Sequence, residues 1–509
     1  MNANVGSFLH RWAQQDPGRT GIVDSGRKDL AFSYEELDRQ ASRVAGHLLD
    51  RGLGAGDRVA ICTANGMDFV AAWFGAVYAG CTTLPISVMS TAHEIAFRLQ
   101  HAGCKALLTD AERSAVAHAS KARAGTSSEV LLIADAIANA SGEAPPCDAS
   151  PNSFAMLLYT SGTTGAAKGV CITHGSLGAH TQALVEQTLR LTEDDRILGT
   201  LPLTHSYGIR MTLLAPFYAG ASTVFVPKFS SARTLELCTT HRITWLPGVP
   251  TMFVAWANED TQPTPPSLRW CMSAGAPLLE DVRLRAEARL GAPVRQGYGL
   301  TEATFTTINA PPDDAVPGSS GKPVTGIELK IADDFGEELP RGVHGEVLIR
   351  GQNVMAGYLD EKLATAHVMR GDWLHTGDIG FVDDEGRLTI ADRSKDLILR
   401  GGASIYPSEI ENVLAHHPAI RDIAVVGQPD DYYGEEIVAV AVRNGDVTAK
   451  ELDEWAREQL AAYKVPRRYA FVQSLPQGAS GKTLKRRLRD QLVSGEISAE
   501  QLPPHGPAK

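Results

Sequence analysis

The sequence predicts an α/β protein. It reads as a large N-terminal domain, built from two doubly wound α/β subdomains plus a small β-rich subdomain, followed by a small α+β C-terminal domain. Three observations carry this reading. Helical periodicity and short apolar strands alternate over the first part of the chain, which implies parallel sheets covered on both faces. After about Pro317 the pattern turns to strands joined by Gly/Asp turns. From about Lys395 helices and strands resume, over a length suited to a small independent domain. The predicted division is 1–392 and 393–509.

The first elements follow from local rules. Ser33 and Glu36 have capping-box spacing, and Leu37, Ala41, Val44, Leu48 and Leu49 continue at helical period until Gly52. Arg58–Ile61 reads as a strand, then a helix over Phe69–Gly80, the strand TTLPI, a helix over Glu94–Gly103 and the strand KALLTD. The strand FAMLLY precedes a run of Thr, Ser and Gly, at the strand end where α/β folds place their ligands. Later, GIELKIADDFGEELPRGVHGEVLIRG and GFVDDEGRLTIADR read as strands and turns. The C-terminal unit reads as the helix SEIENVLAHH, the strands DIAVVG and IVAVAV, the helix TAKELDEWAREQLAAY and a basic helical tail.

Bulk composition excludes several classes. A net charge of −11 over 509 residues argues against general affinity for nucleic acid or anionic membrane, so any anionic ligand needs local cations and N–H groups. Seven scattered cysteines with no CxxC pair indicate neither a disulfide framework nor a zinc site. The start, MNANVGSFLHRWAQQ, lacks a signal-peptide pattern, and the apolar run Phe69–Cys81 is too short to span a bilayer. A soluble, cytoplasmic protein is expected.

The Thr/Ser/Gly run, YTSGTTGAAKGV, offers backbone N–H groups, hydroxyls and one cation to an anion. It is not a P-loop, which needs G-x-x-x-x-G-K-[ST]; here Lys168 follows Ala167. Gly481-Lys482-Thr483 is a second decoy, since the residue five before Gly481 is Pro476. Alone, the run reads equally well as a surface loop. Four further stretches shift the balance. RQGYGLTEAT sets Tyr298 among glycines and Thr301 beside Glu302: an aromatic face for a base, a hydroxyl for phosphate and a carboxylate for Mg²⁺. WLHTGDIG puts Asp378 on a Gly-flanked turn, where it could accept from two ribose hydroxyls. DRSKDLILRGGASIYPSEIE packs charges where composition changes, and LPQGASGKTLKRRLR offers Lys482 on a Gly-flanked loop.

Together and in this order, these stretches resemble the adenylate-forming superfamily of acyl-CoA synthetases, aryl-CoA ligases, luciferases and peptide-synthetase adenylation domains. The likeness spans nearly the whole chain and is strongest to the acyl- and aryl-CoA ligases. It implies an enzyme, an acid–thiol ligase using ATP, Mg²⁺ and CoA, in which the C-terminal domain rotates between two half-reactions. By resemblance Thr160, Ser161, Gly162, Thr163, Thr164, Gly165 and Lys168 hold the β- and γ-phosphates. Tyr298 stacks on adenine within Gln296, Gly297, Gly299 and Leu300; Thr301 meets the α-phosphate and Glu302 the metal. Asp378 and Arg393 reach the ribose, and Gly275, Ala276 and Pro277 of SAGAPL lie beside adenine and the acyl group. Lys395 stands at the hinge, where several relatives carry Asp, and Gly401 and Gly402 help line the thiol tunnel. Lys482 is the implied catalytic lysine of adenylation.

LPLTHSYGIR resembles the acyl-pocket stretch, with His205 at its usual aromatic position. It holds no acidic residue to bind an amino acid's ammonium. Gly297 stands where malonate-activating relatives carry Arg, so an apolar or aryl monocarboxylic acid is expected and dicarboxylates are not. Arg210 is the one dissent, since it could meet a polar or carboxylate-bearing substrate; a surface arginine on a helix is the favoured reading. CoA is the expected acceptor; a carrier protein or an amine is the alternative. A silent acyl- or nucleotide-binding homologue is disfavoured because Lys482, Glu302 and Asp378 are all retained.

Overall fold

The computed structural model describes residues 4–160, 167–312, 315–393, 396–400, 403–430, 432–478 and 483–502. Two large sheets form the N-terminal region. The first has nine strands, in the order Lys322–Pro323, Thr304–Ile308, Val294–Leu300, Trp270–Ala274, Trp245–Gly248, Arg196–Gly199, Ser222–Phe225, Thr20–Asp24 and Leu30–Ser33. Its neighbours pair in parallel from Val294–Leu300 across to Thr20–Asp24, and antiparallel strands close both edges. The second has seven, in the order Gly357–Tyr358, Lys168–Thr173, Phe154–Thr160, Thr82–Pro85, Arg58–Cys62, Ala106–Thr109 and Glu129–Leu132.

The sequence rules account for the elements between them. Ser33 caps the helix Tyr34–Leu49, and Glu36 returns the bond, so the predicted capping box is present. The helix Met67–Tyr78 is buried on every side but one residue, which matches an unbroken apolar run rather than an amphipathic stripe. It packs with Tyr34–Leu49 in the seam between the sheets, among Trp73, Phe74 and Phe217.

Asp24, at the end of a strand of the nine-stranded sheet, accepts from Met67 N at 3.0 Å and so caps that helix. It also accepts from Gly26 N, and it is 4% exposed. One carboxylate thus fastens the first sheet to the helix covering the second.

A five-stranded sheet of Ile327–Ala332, Gly345–Gly351, Trp373–Val382, Met369–Arg370 and Leu388–Arg393 forms the expected β-rich piece. The C-terminal sheet has six strands, from Ile398–Arg400 to Glu500–Gln501, covered by helices Pro407–Ala415, Ala449–Arg457 and Lys485–Val493. Its core, centred on Ile410, Val425, Ile437, Ala439 and Leu452, is separate from the main one.

One local expectation needs correction. Asp378 is not on a free turn: Trp373–Val382 is a continuous strand, kinked where Gly377 takes φ +69°.

Asp24→Ala removes a buried cap from Met67–Tyr78 and should cost about 1–2 kcal/mol, lowering the unfolding midpoint by a few degrees. Asp24→Asn should keep most of that stability. Thermal scans of both variants check this, and an unchanged midpoint for Asp24→Ala would contradict it.

Candidate functional site

The strand Val294–Leu300 runs parallel to Trp270–Ala274, with Ser273 opposite Gln296 and Ala274 opposite Gly297. The turn Gly275–Pro277 therefore leaves the sheet beside Gln296–Tyr298. Gln296 fixes it there, its Oε1 accepting from Leu278 N at 2.9 Å. Gly275, at φ +93°, lets the chain turn away from the strand end.

After Leu300 the chain reverses in a tight hairpin, and Thr301 and Glu302 sit half-buried at its tip. Gly299 is obligatory here, because a Cβ would overlap the Thr304 carbonyl. Thr304 is buried at φ +44°, an unusual conformation for a β-branched residue. Asn353 donates to the Ala303 carbonyl, and Met355 N donates to the Glu302 carbonyl at 2.7 Å. A strained hairpin is held from outside by Asn353 and Met355, in the segment that follows the strand Gly345–Gly351.

Two long-range contacts converge on it. Tyr298 Oη donates to Asp378 Oδ2 at 2.6 Å, across 80 residues of sequence. Asp378 is 3% exposed and donates its own N–H to Thr376 Oγ1, and it pairs with Arg393 across the β-rich sheet. Tyr358 Oη donates to Glu302 Oε1 at 2.9 Å. Burial and the Glu302 charge push the Tyr358 phenol well above its usual range, so it remains a donor at any physiological pH.

The phosphate-loop candidates sit on the second sheet. Phe154–Thr160 is followed not by a helix but by the antiparallel strand Lys168–Thr173, with Thr160 opposite Lys168. The two strands that flank the phosphate-loop candidates are thus antiparallel partners. Gly357–Tyr358 adds to its edge, and Lys168 Nζ lies 4.9 Å from the Tyr358 ring centroid. Tyr358 therefore touches both Lys168 and Glu302, bringing the two sheets' candidates to one place.

Of the expected residues, Thr160, Lys168, Gly275, Ala276, Pro277, Gln296, Gly297, Tyr298, Gly299, Leu300, Thr301, Glu302 and Asp378 lie on these connected elements. Ser161, Gly162, Thr163, Thr164, Gly165, Lys395, Gly401, Gly402 and Lys482 lie outside the described residues, as does the Arg393 side chain. Among the described residues no group of three or more His, Cys, Asp or Glu could form a metal cage. A lone carboxylate at Glu302 fits Mg²⁺, which is commonly held by one or two carboxylates with waters and substrate phosphates.

On the acyl side, His205 is half-buried and begins the helix Ser206–Ile209. Tyr207 donates to the carbonyls of Met272 at 2.8 Å and Gly248 at 3.1 Å, and its ring meets Phe305 edge-on at 5.1 Å. At Gly297 a Cβ would crowd Met272 and Phe305, at 3.1 Å from each. This wall is apolar and aromatic. Arg210 corrects the sequence reading outright: it is 1% exposed, not a surface residue. Its Nη1 donates to Leu177 O and Thr181 Oγ1. The apolar run that follows it, Met211, Leu213 and Leu214, is also buried, and that run was the available signal. Tyr358 and Asn353 were missed as well, with no comparable signal.

The model of AMP-binding enzymes matches residues 9–359, and that of the AMP-binding enzyme C-terminal domain matches residues 409–482. The long-chain-fatty-acid–CoA ligase of Bacillus subtilis (strain 168) is 32% identical, over 96% of this chain and 95% of its own. A feruloyl-CoA synthase of Amycolatopsis sp. is 33% identical, over 96% and 99%. Among solved structures, ATP-bound MatB from Rhodopseudomonas palustris superposes with a TM-score of 0.91 at 33% identity, over 96% of this chain and 99% of that one. Its apo form covers 97% and 99% at the same identity but superposes at 0.79. The chain belongs to the AMP-binding, adenylate-forming enzyme family. Within that family it falls in the acyl- and aryl-CoA ligase branch.

Tyr358→Phe keeps the ring against Lys168 and deletes only the hydrogen bond to Glu302. Loss of a bond to a charged group should lower kcat for acid-dependent pyrophosphate release about 10-fold and raise the Mg²⁺ concentration needed for half-maximal rate. Steady-state assays over a Mg²⁺ series check this. An unchanged rate and Mg²⁺ dependence would reduce Tyr358 to a packing residue.

Proposed function

We propose that the protein activates a carboxylic acid with ATP, releasing pyrophosphate and forming an acyl-adenylate, and then transfers the acyl group to the thiol of CoA. The observation that carries this reading is the Tyr298–Asp378 hydrogen bond, which sets a base-sized aromatic face beside a ribose-sized carboxylate. The Thr301–Glu302 hairpin and the Gly275–Pro277 turn lie next to it.

The chemistry follows from charge. A carboxylate attacking the α-phosphate brings anion to anion, and a protein with a net charge of −11 must offset that locally. Mg²⁺, held by Glu302 with the nucleotide's phosphates, would supply charge neutralisation there. Lys168 and the N–H groups and hydroxyls of Thr160–Gly165 are assigned to the β- and γ-phosphates. Thr301 is assigned to the α-phosphate, and Asp378 with Arg393 to the ribose. Lys482 stabilises the charge that builds in the adenylation transition state. The carbonyl carbon of the adenylate is then attacked by the thiolate of CoA, its C–O bond to phosphate breaks, and AMP leaves.

The acid is assigned an apolar or aryl body, because Gly297, Met272, Tyr207 and Phe305 form an apolar wall. His205 is assigned to the reacting end of that pocket, between the acid carboxylate and the acceptor. Transfer to a carrier protein or an amine in place of CoA is the alternative that an acceptor panel resolves.

The unit from Arg393 to Lys509 is assigned the mobile role, pivoting at Lys395, with Gly401 and Gly402 along the thiol's approach. The two superpositions on MatB support such a movement, since one protein fits this chain differently with and without ATP.

Single-turnover assays of each half-reaction test the whole reading. Lys482→Ala should slow adenylate formation by about 10²-fold or more, the scale for losing a transition-state donor. Given pre-formed acyl-adenylate and CoA, it should still make thioester at close to the normal rate. Lys395→Pro should show the reverse, because proline stiffens the pivot. Equal loss of both steps in Lys482→Ala would mean one static site.

A further inference from the structure

The helix Pro407–Ala415 receives no side-chain hydrogen bond from Tyr406, the residue at its N-cap. Its acceptor comes instead from sixteen residues earlier in the chain. Asp392 Oδ2 accepts from Ser408 N at 3.0 Å, and Ser408 Oγ donates to the Ala391 carbonyl. Ala391 and Asp392 belong to the strand Leu388–Arg393 of the β-rich sheet, where Asp392 stands opposite Ile379, the neighbour of Asp378. A carboxylate is favoured at a helix N-terminus by the open N–H groups and by the helix dipole. Beside this cap the Tyr406 ring lies 5.6 Å from that of His344, which in turn meets Phe381 of the same sheet at 4.9 Å. The β-rich sheet thus grips the first helix of the C-terminal unit, on the far side of the proposed pivot at Lys395.

The same helix reaches the segment that follows Lys482. Glu411, about one turn in, accepts from Val425 N at 2.7 Å and pairs with Lys485 Nζ at 2.8 Å. Lys485 opens the helix Lys485–Val493, three residues after Lys482. Burial by itself would pull the Lys485 ammonium down, but Glu411, Asp392 and Asp396 outweigh it and hold it above its usual range. One turn further along, Arg489 Nη2 pairs at 3.1 Å with Oδ1 of Asp396, the residue after Lys395. None of these four paired side chains is more than 27% exposed, so salt screens them less than it screens surface pairs.

We propose that Asp392 is a positioning residue for adenylation: by capping Pro407–Ala415 across the pivot it holds the C-terminal unit in the orientation that presents Lys482 to the α-phosphate, and Glu411 and Lys485 pass that hold to the lysine's own segment. This rests on the two-step ligase reading and deepens it. The chain as described superposes better on ATP-bound MatB, at 0.91, than on its apo form, at 0.79. Hydrogen bonds weaken steeply with lost alignment, so rotation about Lys395 releases Ser408 from Asp392 and Ala391. One helix cap biases two orientations about 5- to 10-fold without locking either. An enzyme that must visit both orientations in every turnover needs a bias of that size rather than a permanent bond.

Single-turnover rates of the two half-reactions test this in the wild type, Asp392→Ala, Asp392→Asn and Lys485→Met. Adenylate formation should fall about 5- to 10-fold in Asp392→Ala, the scale of one lost cap. Thioester formation from pre-formed acyl-adenylate and CoA should stay at the wild-type rate or rise. Asp392→Asn, which still offers Ser408 N an oxygen, should restore adenylation to within about twofold. Lys485→Met should show the same one-sided loss, and combining it with Asp392→Ala should add little, because both act through one chain of contacts. A loss shared equally by both half-reactions would make Asp392 a structural cap and overturn the assignment. So would a wild-type rate in Asp392→Ala, adenylation as slow in Asp392→Asn as in Asp392→Ala, or single losses that multiply in the double variant. If Asp392→Ala does not fold, Lys485→Met decides: an unchanged or two-sided rate overturns the assignment. A wild type that forms no acyl-adenylate with any acid would overturn the ligase reading itself, and this assignment with it.

Discussion

The hydrogen bond from Tyr298 to Asp378 is the constraint on which the candidate site depends. Each residue belongs to a different sheet, one at the edge of the parallel part of the nine-stranded sheet and one in the small β-rich sheet. Neither sheet alone presents more than part of a nucleotide surface. Their contact sets the hairpin Thr301–Glu302 against the segment Asn353–Tyr358, which returns to the second large sheet and the antiparallel strands that flank its phosphate-loop candidates. Base, ribose, phosphate and metal candidates become neighbours because three sheets close around one hairpin.

That hairpin is also where local preference is violated most plainly. Thr304 at φ +44° and the close approach at Gly299 cost backbone energy, and several bonds to the Ala303, Phe305 and Glu302 carbonyls hold the arrangement. Behind it, His180 and Arg210 bring a polar pair into a region otherwise filled by Leu177, Met211 and Leu213. Departures from simple patterning gather around the site, as expected where function rather than stability has set the residues.

Much of this was legible in the sequence, for identifiable reasons. The Ser33–Glu36 box, the apolar run Phe69–Cys81 and the turn-rich strands after Pro317 are local signals; the box is present, most of the run lies in the helix Met67–Tyr78, and the strands form the β-rich sheet. The Tyr298, Glu302 and Asp378 stretches are weak signals singly, and their order along the chain, through its resemblance to the adenylate-forming superfamily, is what singles them out. What was not legible is long-range. Tyr358 meets Glu302 across 56 residues and Val170 across a sheet edge, and nothing near it in the chain announces either contact. The antiparallel strand after Thr160 is equally a matter of pairing rather than periodicity. Arg210 is different. An arginine heading the run MTLLAPF was a local warning of burial, and a single-residue exposure rule overrode it.

Val294–Leu300 with its hairpin and Trp373–Val382 are proposed to form one nucleotide surface. Backbone hydrogen exchange with and without a non-hydrolysable acyl-adenylate analogue tests it most directly. The account predicts that Gly297–Glu302 and Gly377–Ile379 gain protection together, at the same analogue concentration, and that Asp378→Asn weakens protection in both segments. Protection confined to one segment, or gained by the two at different concentrations, would contradict it.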